Sequence, residues 1–383
     1  MIKVLLLGST GSIGTNACNC IRRFSDTFQL VGLSTNTRSE ILGNQVKEFA
    51  VSSVCICSSD AAEKARAHLP SSVNIFEGTK GLVDLVRETE FDILLNALVG
   101  SVGFAPTVAA LERNKRVALA NKESLVVGGD IITNLLAQGS GELIPVDSEH
   151  SAILQCLNGE DNAALESITI TASGGPFRET PIEKFPSITP QEALNHPTWT
   201  MGNKITVDSA TLMNKGFEVI EAHHLFRLSF DKIRVLIHPQ SIVHSMITFH
   251  DGAVIAQCGI PDMELPIQYA LSYPKRLPIQ STRLDLGAVG SLTFSELDFT
   301  RFPCLKLCIE AGKKGGTLPT VLNAANEIAV HYFLKGAIPF IRIAEIIERA
   351  LNLHSPRTAD SVALIEEIDA ETRNSIIKGI IKK

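Results

Sequence analysis

Six short apolar runs alternate with helical stretches over the first 150 residues, and a glycine-marked turn follows the first run directly. The runs lie at 4–7, 30–33, 53–57, 93–96, 117–120 and 143–146, with helical patterns such as 14–24 and 40–49 between them. A helix between two strands returns the chain to the starting edge, so such strands pair in parallel. The predicted fold class is therefore α/β, opening with a doubly wound parallel sheet.

Beyond residue 150 the pattern changes. Runs at 168–171 and 234–237 read as strands, while 242–249 and 253–258 flank Asp251-Gly252, a hairpin signal. A mixed α+β middle domain follows. The stretch 273–297, rich in Pro, Ser and Gly, reads as a linker, and 298–383 reads as a small C-terminal helical domain. There, 320–334 puts Leu322, Ala325, Ala329 and Phe333 on one face and Gly336 ends the helix. Asp369 reads as the N-cap of a final helix carrying Ile376, Ile377, Ile380 and Ile381. The expected domains are 1–149, 150–272 and 298–383, a division that suits a chain of 383 residues.

The turn Gly8-Ser9-Thr10-Gly11-Ser12-Ile13-Gly14 joins strand one to a helix. Glycines let the backbone turn tightly and approach a pyrophosphate, and the helix N-terminus offers free N–H groups to it. At the first strand–helix junction this makes the sheet Rossmann-like and the turn a dinucleotide site, although such turns also occur as plain connections. An acidic residue commonly ends strand two and binds the ribose diol of NAD. Here Ser34-Thr35-Asn36-Thr37-Arg38 stands in that place, which suits a 2′-phosphate and so NADP(H).

Two further segments end predicted strands, the edge where ligands bind in open α/β sheets. Leu119-Ala120-Asn121-Lys122-Glu123-Ser124 offers a lysine, which reads equally as an ordinary surface residue. Pro145-Val146-Asp147-Ser148-Glu149-His150 offers two acids that would share one side of an extended segment. Close carboxylates suit a hard cation such as Mg²⁺ or Mn²⁺, unless they are simply exposed. Glu218 is a candidate third carboxylate, and Ser209, Asn214 and Lys215 before it are donors of the kind that grip phosphate. Between these segments, 173–204 has little periodicity and contains Trp199, the single tryptophan, so it reads as a lid, with a core tryptophan as the plain alternative.

A net charge of −6 argues against a broad basic face for nucleic acid, so an anionic ligand needs a local donor cluster. The N-terminal apolar run is too short for a signal-peptide core, and no run approaches the length of a membrane span. Eight cysteines without C-x-x-C spacing point to free thiols and a cytoplasmic location.

Together the segments resemble the 1-deoxy-D-xylulose 5-phosphate reductoisomerase family. The matching pieces are GSTGSIG at 8–14, LANKESLV at 119–126, PVDSEH at 145–150, SGGPFRET at 173–180, HPTWTMG at 196–202, VDSATLMNKGFE at 207–218, HPQSIVHSM at 238–246 and LNAANEIAV at 322–330. The resemblance implies an NADPH- and divalent-metal-dependent enzyme of the non-mevalonate isoprenoid pathway. It would rearrange 1-deoxy-D-xylulose 5-phosphate to an aldehyde and reduce that to 2-C-methyl-D-erythritol 4-phosphate. The middle domain would then be catalytic and metal-binding, and would carry a homodimer interface with 242–249 as a candidate element.

By the same resemblance, Asp147, Glu149 and Glu218 are the metal ligands and Lys122 acts at the reacting carbons. Ser148 bonds a substrate oxygen, while Ser173, Ser209, Asn214 and Lys215 hold the phosphate with His196 beside them. Trp199 closes over the substrate, and the C-terminal helices brace the site. Thr10, Gly11, Ser12 and Ile13 contact the cofactor, and Asn121, Glu123 and Gly202 complete its pocket. The chain departs from the family at strand two, where many members read A-G-K-N or A-G-R-N and this one has Thr35-Asn36-Thr37-Arg38. Asn36, Thr37 and Arg38 are the expected replacements, with Arg38 supplying the displaced positive charge. The competing readings are another NADP-dependent dehydrogenase, such as a semialdehyde or homoserine dehydrogenase, and a non-catalytic nucleotide sensor on the same fold. Neither requires the three carboxylates.

Overall fold

The structure is a computed structural model that describes residues 1–278 and 282–381, with side chains of the last helix described to Gly379. Residues 279–281 of the expected linker, and the side chains of Ile380 and Ile381, lie outside the described residues. The chain divides into two compact units. One holds residues 1–124, 131–147 and the described part of 263–281; the other holds 125–130, 148–262 and the described part of 282–383.

The first unit alternates β1 (Ile2–Leu7), α1 (Ser12–Arg23), β2 (Phe28–Thr35), α2 (Ser39–Phe49), β3 (Ser53–Ile56), α3 (Ser59–Arg66), β4 (Asn74–Glu77), α4 (Gly78–Glu88), β5 (Ile93–Asn96), α5 (Phe104–Glu112), β6 (Arg116–Leu119), α6 (Glu123–Ala137, of which 125–130 count with the second unit) and β7 (Glu142–Pro145). The strands form one parallel sheet in the order β4-β3-β2-β1-β5-β6-β7. Val4, Leu5, Leu6 and Leu7 are fully buried, as a central strand covered on both faces requires. Strand order reverses on either side of β1, so a crevice opens at the C-terminal ends of β1 and β5, where ligands bind in such sheets. β4 escaped the sequence reading because an edge strand of four half-exposed residues carries no apolar run.

The second unit contains α7 (Ser148–Leu157), β8 (Leu165–Ala172), α8 (Pro190–Ala193), α9 (Asn203–Ala210), α10 (Met213–Phe226), β9 (Ile233–Ile237), β10 (Val243–Phe249) and β11 (Val254–Cys258). The next helix, α11 (Glu264–Ser272), belongs to the first unit instead. It packs on α1 and β7, Arg23 pairs with Glu264, and Arg116 donates to the carbonyl of Tyr273 at 2.9 Å. The expected boundary at 272 therefore moves upstream, because these contacts draw the chain back before the Pro- and Gly-rich stretch. α12 (Leu286–Val289), α13 (Pro303–Lys314), α14 (Leu318–Leu334), α15 (Arg342–Leu353) and α16 (Val362–Ile381) complete the second unit.

Its sheet runs β11-β10-β8-β9, with β8 and β9 parallel and the other pairs antiparallel. The hairpin expected at Asp251-Gly252 is present, with Gly252 at φ +87° and the Asp251 carboxylate accepting from Ala253 N at 2.9 Å. β10 lies between two neighbours, so its backbone has no open edge. The edge strands are β9 and β11, and β11 exposes Val254 and Ile255.

The C-terminal helices do not form a core of their own. Phe217, Met213 and Val207 share one apolar cluster with Leu322, Ala325, Ala329 and Phe333 of α14 and Ile343 and Ile347 of α15. The separate helical domain expected at 298–383 thus merges with the middle of the chain. α16 also begins earlier than expected: Leu364, Ile365 and Ile368 extend its buried face upstream, and Asp369 sits inside the helix, accepting from Arg373 at 3.0 Å. Phe333 packs edge-on against Phe340 at 5.6 Å between ring centroids. Phe333→Ala is expected to cost about 3–5 kcal/mol in urea denaturation; a loss near zero would show that α14 adds nothing to the shared core.

Candidate active site

Gly8 has φ +79°, and a Cβ there would lie 2.6 Å from the carbonyl oxygen of Ala97, just after β5. A Cβ on Gly14 would lie 2.2 Å from the Gly8 carbonyl oxygen. Both glycines are therefore required for the tight turn at the strand-order reversal. α1 starts at Ser12 with Gly11 as N-cap and no side-chain cap, leaving its first N–H groups free for an anion. Gly11 and Ser12 are exposed and Ile13 is half-buried, whereas Thr10 is buried and its hydroxyl bonds that of Thr35 at 2.7 Å.

The end of β2 is stitched to this turn. Gly8 N donates to the Ser34 hydroxyl at 2.9 Å, and the Arg38 guanidinium donates to the Thr10 carbonyl at 2.9 Å. Arg38 thus rides on the glycine turn, with Asn36 and Thr37 exposed beside it. Asn121 is buried and donates to the Leu98 and Gly100 carbonyls and to Glu123, while its own oxygen accepts from Ser124 N at 3.1 Å. Its amide holds the loop after β5 in shape. Lys122 pairs with Asp147 at 2.6 Å, and both are largely buried.

In the second unit, Ser148 and Glu149 lie in the first turn of α7 rather than in an extended segment, because β7 already ends at Pro145. Asp147 and Glu149 therefore do not share one side by the strand alternation that the sequence predicts; a helix start sets their directions. Ser148 donates to Glu149 at 2.6 Å. α10 carries Asn214, Lys215 and Glu218 in its first two turns, and spacings of three and four residues put them on one face. Asn214 donates to Glu218 at 2.6 Å.

Lys215 bridges the two carboxylates: its ammonium is 2.9 Å from Glu149 and also pairs with Glu218. Burial works against its charge, but Glu149 and Glu218 outweigh that, and its pKa is raised overall. Lys215 was expected as a phosphate donor. Here it occupies the place between two acids where a metal cation would neutralise them, so the donor set fits a hard divalent ion.

His196 sits between two serines. Thr198 N and Trp199 N donate to its Nδ1 at 3.1 and 2.9 Å, so Nδ1 carries no proton. Its Nε2–H then faces the hydroxyls of Ser173 and Ser209, each at 3.1 Å. The serines are left with hydroxyl protons to offer an anion. Trp199 is half-buried, 6.4 Å from His244 between ring centroids. His244 was not singled out from sequence, although it lies in the HPQSIVHSM segment. It is buried, with its pKa lowered mainly by burial while the nearby Glu149 raises it. Gly202 is exposed as the N-cap of α9.

Burial, and secondarily Arg178, push the His196 pKa down to about 4. The unfolded chain then binds the extra proton first, so this residue's contribution to stability is complete above pH ~6.5 and is lost as pH falls toward 4. Nitrogen-15 NMR is expected to show a neutral imidazole protonated on Nε2 at pH 6, titrating near 4. A midpoint near the ordinary histidine value would overturn this assignment.

Three stretches match family models: residues 4–129 match 1-deoxy-D-xylulose 5-phosphate reductoisomerase, 143–226 match its C-terminal domain, and 258–375 match a DXP reductoisomerase C-terminal domain. A 1-deoxy-D-xylulose 5-phosphate reductoisomerase of Geobacillus sp. (strain WCH70) is 50% identical over 98% of this chain and 99% of the relative. One from Chloroherpeton thalassium is 49% identical over 98% and 97%. Among solved structures, the enzyme from Zymomonas mobilis in complex with NADPH is 39% identical, with a TM-score of 0.91 over 99% of both chains. A DOX-P reductoisomerase in complex with NADPH, fosmidomycin and magnesium is 37% identical, with a TM-score of 0.94 over 99% of this chain and 98% of the other. With this identity along nearly its whole length, the chain belongs to the 1-deoxy-D-xylulose 5-phosphate reductoisomerase family.

Proposed function

We propose that this chain converts 1-deoxy-D-xylulose 5-phosphate to 2-C-methyl-D-erythritol 4-phosphate, using NADPH and a divalent cation, Mg²⁺ or Mn²⁺, as a step of isoprenoid precursor biosynthesis. The observation that carries the reading beyond family membership is the Lys215 ammonium lodged between Glu149 and Glu218. Two acids that hold a buried ammonium between them offer the hard oxygen ligands that a divalent cation takes. When bound, the cofactor supplies a hydride and the metal polarises substrate oxygens.

Asp147, Glu149 and Glu218 hold the metal, and Ser148 bonds a substrate oxygen. Once the acids are neutralised otherwise, Lys215 is released to join Asn214, Ser173 and Ser209 on the phosphate. His196 keeps the two serine hydroxyls turned outward. Lys122 sits at the reacting carbons, where it holds or moves a proton, and Trp199 closes over the substrate to exclude water. The exposed turn at Gly11 and Ser12 takes the pyrophosphate, with Thr10 and Ile13 shaping it. Asn36, Thr37 and Arg38 take the 2′-phosphate, and Asn121, Glu123 and Gly202 bound the remainder of the cofactor.

A homodimer through the second sheet is part of this reading, supported by the apolar side chains Val254 and Ile255 on edge strand β11. So is a cytoplasmic location, supported by eight free cysteines. No described helix is long and apolar enough to cross a membrane.

The direct test is NADPH oxidation with 1-deoxy-D-xylulose 5-phosphate, with and without Mg²⁺ or Mn²⁺. Absence of turnover with metal present would sink the reading, and turnover without metal would sink the ligand assignment alone. Glu218→Gln is expected to lose metal affinity and activity together. Arg38→Ala removes a charge-assisted contact worth about 1.5–3 kcal/mol, so KM for NADPH is expected to rise about tenfold or more while KM for NADH holds. Unchanged selectivity between the two cofactors would exclude Arg38 as the replacement for the displaced basic residue.

A further inference from the structure

Resting on that functional reading, we infer that Asp208 and Asn326 are positioning residues for the phosphate grip, through which α14 of the C-terminal helices holds the helix that carries Ser209. Asp208 is buried on α9, and Asn326 is buried on α14. The Asn326 amide donates to Asp208 at 2.8 Å, and Lys204 pairs with the other carboxylate oxygen at 2.9 Å. The same ammonium lies 5.0 Å from the centre of the Phe217 ring. Phe217 stands on α10 between Lys215 and Glu218.

The Thr211 hydroxyl donates to the Asp208 carbonyl oxygen at 3.2 Å, and apolar residues lie close by. Its neighbours Val207 and Ala210 belong to the shared cluster, with Cys304, Cys308, Ala325 and Ala329. Its charge helps to raise the thiol pKa values of Cys304 and Cys308, which places it close to both. A buried carboxylate among such residues is costly, and an apolar side chain of similar size would fill the space at less cost. Ion pairs and hydrogen bonds supply direction, which apolar contacts do not. Successive residues on a helix differ in azimuth by about 100°. With Asp208 pinned inward by Asn326, Ser209 is fixed facing His196, 3.1 Å from its Nε2. α9 has eight residues, too few to hold its own orientation. Leu212, in left-handed conformation, then leads directly into Met213, Asn214 and Lys215, so the setting of α9 passes to the other grip residues.

The test uses the full chain with Asn326→Ala, Asp208→Asn and the double variant, comparing KM for each substrate, kcat, thermal stability and calorimetric binding of inorganic phosphate. In Asn326→Ala, KM for the phosphosugar and Kd for inorganic phosphate are expected to rise about tenfold, with KM for NADPH unchanged. Because Asn326 acts through Asp208, the double variant is expected to bind phosphate no more weakly than Asp208→Asn alone. A lowered Tm with unchanged phosphate binding, or single losses that multiply in the double variant, would overturn the inference. If either Asp208 variant fails to fold, the milder pair Asn326→Ala and Asn326→Ser gives the same phosphate readout. Failure of the wild-type chain to turn over the phosphosugar would count against the functional reading, while phosphate binding by the variants still decides the role of Asn326.

Discussion

Glu149 and Glu218 come from helices far apart in the sequence, yet one buried ammonium, that of Lys215, touches both. Without a cation between them, two largely buried carboxylates would repel each other. Two helices of the second unit build this arrangement. α7 brings Glu149, α10 brings Lys215 and Glu218 on one face, and Asn214 ties off the remaining Glu218 oxygen at 2.6 Å. The Lys215 ammonium holds the two carboxylates together across the gap between the two helices.

The serine–histidine cluster works by a different principle. His196 is held neutral by burial, with its tautomer fixed by two main-chain donors. A neutral imidazole adds no charge, but it orients Ser173 and Ser209 so that their hydroxyl protons remain available. In a chain with a net charge of −6, the donors that this cluster offers an anion are aligned dipoles and a few placed cations rather than a broad positive field.

Much of this was legible in the sequence. Glycines at 8 and 14, with the apolar run Val4, Leu5, Leu6 and Leu7 before them, define a turn that only a tightly packed strand–helix junction needs. The segment around Asn214, Lys215 and Glu218 shows donors and an acid at helical spacing. Other features were not legible. Asp147 and Glu149 looked like alternating residues of a strand, but a helix starts between them. Asp369 looked like a cap, but tertiary packing of Leu364, Ile365 and Ile368 extends the helix past it. His244 carried no spacing signal, since its neighbours Trp199 and Glu149 are distant in sequence.

What the sequence determined by itself was local: the parallel alternation of the first unit, the glycine turn, the hairpin at Asp251-Gly252 and the identity of the acids and donors. These depend on backbone sterics and on periodic burial, both of which act over a few residues. Only the tertiary structure decided which unit α11 joins, that the C-terminal helices share a core with α10, and that Lys215 stands between Glu149 and Glu218. Those outcomes rest on buried apolar faces finding one another and on charges that cannot be buried alone. The faces that meet, and the Lys215–Glu149 pair, join segments far apart in the chain.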